Sequence, residues 1–170
     1  MKAGESSGGI RIDPATRDDV PVLLRMIRGL AEYERLTHLV AATEDGLRAA
    51  LFGPRPVAEA IIARAGGAAA GFAVFFPTFS TFLGRPGMYL EDLYVEPHWR
   101  RRGLGRRLFV QVVRVAAERG CDRLTWSVLD WNEPAIRFYR SLGARSMDDW
   151  TVYRLTGDAL ARLASEDAES

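Results

Sequence analysis

Two glycines one residue apart, set among five arginines, constrain this chain more than any other stretch: Arg100-Arg101-Arg102-Gly103-Leu104-Gly105-Arg106-Arg107. Met88 to Val95 before it reads as a strand. After it, Leu104, Leu108, Val112 and Val115 recur at helical spacing until Gly120. The stretch is therefore a strand-to-helix turn. Glycines there permit tight turning and let an anion approach the backbone closely. The helix start offers N–H groups without intrahelical partners and a partial positive charge, which together bind phosphate. Cations at that end of a helix are unfavourable by a few tenths to about 1 kcal/mol each, so the arginines make sense when a polyanion neutralises them. A solvated basic helix start and a nucleic-acid patch are the competing readings. Against a nucleic-acid partner stands the charge of the whole chain, 23 basic against 22 acidic residues for a net +1.

Around this turn strands and helices alternate. Ile10 to Asp13 suggests a short strand, and a helix follows from the cap at Thr16 to about Arg35, carried by Val20, Leu23, Leu24, Ile27, Leu30 and Ala31. Thr43 opens a short helix that Gly53-Pro54 stops. Val57 to Arg64 and Gly71 to Pro77 read as strands joined at Gly66-Gly67. Arg123 to Leu129 reads as a strand, Pro134 to Leu142 as a helix, and further strands are expected near Ala144 and from Val152 to Leu155. No dinucleotide fingerprint G-x-G-x-x-G follows a strand. The expectation is an α/β (α+β) fold with a mixed central sheet of about six to seven strands flanked by helices. At 170 residues one domain is expected over residues 10–164, between a flexible tail, 1–9, and an acidic tail, 165–170. Cys121 is the single cysteine, which excludes an internal disulfide and fits a cytoplasmic setting. No apolar run approaches a membrane span, so no membrane partner is expected.

Four segments resemble one family. Arg100-x-x-Gly103-x-Gly105 is similar to the (R/Q)-x-x-G-x-(G/A) motif of the GNAT N-acetyltransferases. Tyr89-Leu90-Glu91-Asp92-Leu93-Tyr94-Val95 and Asp130-Trp131-Asn132-Glu133-Pro134-Ala135-Ile136-Arg137-Phe138-Tyr139 resemble the diamine, or spermidine/spermine, branch, and Ala31-Glu32-Tyr33-Glu34 matches its substrate-side helix in outline. The resemblance spans about Ile10 to Leu163. It implies the GNAT fold with splayed parallel strands at the cofactor site, acetyl-CoA as cosubstrate, no metal, and a homodimer.

It also implies a division of labour. Acetyl-CoA is expected on Leu93, Tyr94, Val95, Arg100, Arg101, Arg102, Gly103, Leu104, Gly105, Arg106, Asn132, Glu133, Pro134, Ala135 and Tyr139. Backbone N–H groups around Val95, beside a bulge, are expected to hold the oxyanion. An alkyl amine titrates near 10.4 and is almost wholly protonated at pH 7, so a base helps, and Glu91 is the expected one. Asp92 adjoins it, but regular alternation would aim the two at opposite faces. Tyr139 is the expected acid for the leaving thiolate. The amine is expected against Tyr33, Glu34, Glu91, Thr125, Trp126 and Ser127. The loop Phe79-Ser80-Thr81-Phe82 lacks the carboxylate of the polyamine enzymes, which resembles the thialysine-type members and favours a shorter amine, a diamine or lysine analogue over spermine. Acetylation of protein amines, or a non-catalytic acyl-CoA-binding regulatory domain, are the alternatives. Retention of Glu91 and Tyr139 argues against the second.

Overall fold

The computed structural model describes residues 9–166. They form two compact units that divide between Ser127 and Val128. The first holds a five-stranded sheet in sequential order: β1 (Arg11–Pro14), β2 (Glu59–Ala65), β3 (Ala68–Ser80), β4 (Arg85–Val95) and β5 (Leu124–Thr125). Neighbours from β1 to β4 are antiparallel, and β5 lies parallel to β4. The β2–β3 hairpin turns at Gly66 and Gly67, whose φ values of 58° and 85° need glycine.

Three helices cover this sheet. α1 (Val20–Glu34) starts after a capping box in which Asp19 accepts from the Thr16 N–H at 2.8 Å, and it ends at Arg35 in the left-handed conformation. α2 (Glu44–Phe52) is capped by the Thr43 hydroxyl, which accepts from Gly46 N at 3.1 Å. Leu23, Met26 and Leu51 from these two helices bury against Ala60, Ile62, Phe72 and Tyr94 on one face of the sheet. α3 (Leu104–Glu118) covers the opposite face, burying Leu104, Leu108, Phe109, Val112 and Ala116. A Cβ on Gly71 would stand 3.1 Å from the Leu108 side chain, so α3 rests close upon β3.

The second unit contains α4 (Glu133–Ser141) and α5 (Gly157–Ser165). Among the described residues the sheet has five strands, not the six to seven expected. The segment expected as a strand from Arg123 to Leu129 pairs only at Leu124–Thr125, because β4 leaves regular register just beyond that point. The segments near Ala144 and from Val152 to Leu155 form no strand. Val152 is 82% and Tyr153 91% exposed, so an apolar alternation is present without a sheet to receive it. The helix α5 was not anticipated; a glycine at its first position, with φ 58°, masks its start. Residues 1–8 of the expected leading tail and 167–170 of the acidic tail lie outside the described residues.

Candidate functional site

The centre of the site is an irregularity in β4. Val74 of β3 pairs with Asp92 and the next residue, Phe75, pairs with Leu90, so Glu91 is an extra residue with no partner opposite. This is a β-bulge, which re-aims side chains next to it. Sequence reasoning expected it around Val95, but Val95 stays in register opposite Gly71. Two adjacent carboxylates explain the position: an extra residue lets the exposed Glu91 stand off while Asp92 keeps the face it shares with Phe72 and Val74. That is the face covered by α1, whose last residue is Glu34.

Two further acids act on Asp92 by charge, Glu91 beside it on the strand and Glu34 at the end of α1. Burial is the main cause that pushes the Asp92 carboxyl up, to about 7, and the charges of Glu91 and Glu34 raise it further. Glu34, itself half-buried, is also raised by desolvation. A half-buried carboxyl that titrates at about 7 exchanges its proton near neutrality, and its ionised form draws a cation. The sequence alone points to Glu91 for this role; the bulge that brings Asp92 to the α1 side leaves little mark in the residue pattern.

Next to the bulge the sheet opens. β4 and β5 share only two ladder pairs, Met88 with Leu124 and Tyr89 with Thr125. The Tyr89 hydroxyl lies 2.8 Å from Ser127 Oγ, and the Trp126 ring meets Phe109 edge-on at 5.2 Å. Thr125 and Ser127 are exposed and Trp126 is half-buried. A parallel pair that parts after two residues makes room between its strands for an extended ligand.

The glycine turn leads into α3. Gly103 is the N-cap of α3 with φ 77°, and no side chain caps that helix. A Cβ on Gly103 would meet nothing within 4 Å, and one on Gly105 would meet only Val95 Cγ2 at 3.7 Å, so the turn presents an open surface to a ligand. Arg101, itself at φ 58°, stands exposed, as do Arg102 and Arg106. The Arg102 guanidinium stacks over Trp99 at 5.0 Å. Arg100 differs: its Nε donates to the Val95 carbonyl at 2.9 Å. Leu104 is buried beneath the turn, whereas Leu93 is half-buried.

In the second unit Asn132 is 7% exposed and accepts from Ala135 N at 3.3 Å, capping α4. Glu133 and Pro134 are exposed in the first turn, and Tyr139 is half-buried with its ring 5.0 Å from that of Phe138. The loop at Thr81 occupies the tip of the β3–β4 hairpin, where Ser80 pairs with Arg85. Six strand residues, Phe75 to Ser80, lie between Thr81 and Val74, the partner of Asp92, which is about 23 Å at strand rise. Phe82, at that tip, is 93% exposed. Neither residue joins the acid cluster, so the loop says little about how a short amine is held. Among the described residues no group of three acidic, histidine or cysteine side chains could hold a metal, and no helix is long and apolar enough to cross a membrane.

Compared with known proteins, residues 24–144 match the profile of the acetyltransferase (GNAT) family. The chain is 36% identical over 168 residues to a thialysine N-epsilon-acetyltransferase from Sus scrofa, covering 92% of this chain and 98% of that protein. It is 33% identical over 198 aligned positions to an L-ornithine N5-acetyltransferase from Arabidopsis thaliana, covering 90% of this chain and 87% of that one. Among solved structures, an integron cassette protein from the mobile metagenome of V. cholerae matches with a TM-score of 0.78 at 27% identity, covering 92% of this chain and 98% of the other.

Proposed function

We propose that this chain, which belongs to the acetyltransferase (GNAT) family, acetylates the side-chain amine of a small amino acid of the lysine or ornithine type. It is an acetyltransferase of small-molecule amines, as its relatives are. The observation that carries the narrower reading is Asp92, turned to the α1 face by the bulge and pushed up to about 7 within reach of the charges of Glu91 and Glu34. An alkylammonium entering this cluster meets opposite charge in a partly desolvated place. To attack, it must then lose its proton. Handing a proton from a group near 10.4 to an ordinary carboxylate near 3.9 is uphill by about 6 to 7 units. With Asp92 at about 7 the climb is about three units. The proton acceptor is thus assigned to the Glu91–Asp92 pair, with Asp92 its titrating member, and Tyr33 and Glu34 flank the amine.

The fit to acetyl-CoA rests on the open glycine turn, the uncapped start of α3 and the exposed Arg101, Arg102 and Arg106. The backbone from Gly103 to Arg106 would hold the pyrophosphate, and Leu93, Tyr94 and Val95 the extended arm. Asn132, Glu133, Pro134, Ala135 and Tyr139 are assigned to the cofactor from the family motif they match, and Tyr139 is assigned to donate a proton to the departing sulfur. When bound, acetyl-CoA supplies the thioester carbonyl that the neutral amine attacks. Residues 10–164 are taken as one catalytic domain, since the family profile runs across both units.

The test is thiol release from acetyl-CoA with thialysine, L-ornithine, L-lysine, putrescine, spermine and a peptide bearing a free amino terminus. Thialysine and ornithine should give the highest kcat/KM. A strong preference for spermine or for the peptide would overturn the assignment, and tight acetyl-CoA binding without turnover on any amine would make the chain a binding domain.

A homodimer is proposed for the same chain, placed in the cytoplasm. Met147, Trp150, Val152, Tyr153 and Leu155 are all between 48% and 91% exposed. So much apolar surface within nine residues calls for a covering partner. Light scattering at micromolar concentration should give twice the chain mass of 18.9 kDa; a monomer would refute it.

A further inference from the structure

We propose that Arg100 couples the acetyl-CoA turn to the amine pocket through the ring of Tyr33, so that a change on the amine side is felt in coenzyme A affinity. This rests on the acetyltransferase reading above and adds a positioning residue to it.

The first arginine of the glycine turn does not point outward with its neighbours. Its backbone opens the turn, directly after the short helical turn Pro97–Trp99. Its side chain folds back instead. Nε donates to the Val95 carbonyl at 2.9 Å, and the guanidinium carbon lies 4.6 Å from the centroid of the Tyr33 ring and 5.6 Å from that of Tyr94. A guanidinium stacked on one ring and near a second, half-buried, is held more firmly than a solvated one. Tyr33 belongs to the last turn of α1 and immediately precedes Glu34 of the acid cluster.

α1 is seated tightly at the same place. A Cβ on Gly29 would stand 2.6 Å from the Tyr94 hydroxyl, which itself donates to Glu96 at 3.3 Å. The helix therefore lies directly upon Tyr94, and Arg100 wedges beside that contact against Tyr33. One side chain thus joins the anion turn, the end of β4 and the end of α1. An anion that orders the turn orders Arg100, and Arg100 fixes Tyr33 and with it Glu34. Coupling of binding free energies is reciprocal, so an amine that orders Tyr33 would tighten coenzyme A by the factor by which coenzyme A tightens the amine, and a substitution that frees Arg100 from the ring is expected to loosen the turn. Spatial continuity alone does not establish such coupling; a cycle of substitutions measures it.

The experiment measures the coenzyme A Kd by calorimetry, and KM and kcat for L-ornithine, in the parent, Arg100→Gln, Arg100→Lys, Tyr33→Leu and both double variants. Tyr33→Leu is expected to weaken coenzyme A about fivefold although it lies on the amine side, and Arg100→Gln to raise the ornithine KM by a similar factor with a smaller change in kcat. Arg100→Lys keeps a cation over the ring and should fall between parent and Arg100→Gln. In the Tyr33→Leu background the difference between Lys and Gln at position 100 should vanish. If Tyr33→Leu leaves coenzyme A affinity unchanged in a folded protein, or if the single effects multiply, the coupling is refuted. Gly103→Val separates this from the reading beneath it: a bulky residue at φ 77° should weaken coenzyme A tenfold or more. Should it do so while Tyr33→Leu does not, only the coupling falls; should Gly103→Val change nothing, the assignment of the turn falls.

Discussion

Replacing Asp92 by Asn is expected to lower kcat/KM for an ornithine-like amine about a hundredfold or more, and at pH 8 to raise the melting temperature. Both effects have one origin. In the folded protein Asp92 keeps its proton up to about 7, against an ordinary value of 3.8. Between about pH 4 and 7 the folded state therefore binds more protons than the unfolded chain, so the contribution of this group to stability falls as pH rises through that window and is level above it. At pH 8 the cost is at most about 4 kcal/mol, from three units at about 1.4 kcal/mol each. Asparagine has no proton to lose, so the gain should appear at pH 8 and be absent at pH 4. Catalysis needs the opposite of stability here: the ionised carboxylate accepts the proton, so kcat/KM of the parent should rise with pH through about 7. Loss of a positioned base typically costs about a hundred- to ten-thousandfold. Full turnover in Asp92→Asn, with Glu91→Gln inactive, would return the proton to Glu91. A destabilised Asp92→Asn at pH 8 would contradict the burial that raises the group.

The parts of this molecule legible in its sequence are those whose partners are near in the chain. α1 and α3 declare themselves by apolar residues every three to four positions, and the turn before α3 by two glycines and a helix start. The bulge at Glu91 left one faint trace. Leu90 and Leu93 share the face toward α3, as their partners Phe75 and Ala73 do, yet they are three residues apart where a regular strand would put two. Met88-Tyr89-Leu90-Glu91 alternates normally, and that hides the break until Asp92. The inward fold of Arg100 could not be read at all, because Tyr33 lies far away in the chain and every arginine of the turn looks alike. The segment from Val152 to Leu155 misled for a different reason. Strand propensity is real only when another strand or a covering face completes it, and none of the described residues pairs with it.

Replacing Tyr139 by Phe should cost about a hundredfold in kcat while leaving coenzyme A affinity within about twofold, since the change deletes one hydroxyl and almost no volume. The argument turns on the leaving group. A thiol loses its proton near 8.5 and a phenol near 10, so proton donation from tyrosine to a thiolate is uphill by about 1.5 units and helps only if it accompanies departure of the sulfur. Below pH 8 a departing thiolate gains from such a donor. Above about pH 9 the free thiolate is the stable form, and the donor matters less. The deficit of Tyr139→Phe should therefore be greatest near neutrality and shrink as pH rises. A core role would behave otherwise: Tyr139 is half-buried beside Phe138 in α4, and if its hydroxyl only supports packing, the variant would lose melting temperature and keep a constant rate ratio at every pH. Because Asn132 caps the same helix at its other end, Asn132→Ala supplies the comparison. It should unsettle α4 by about 1 kcal/mol and, as Asn132 is also assigned to the cofactor, weaken coenzyme A, but its rate deficit should not shrink as pH rises. A pH-independent deficit in Tyr139→Phe that matches its loss of stability would make the residue a structural element of α4, and the proton donor would have to be sought in solvent.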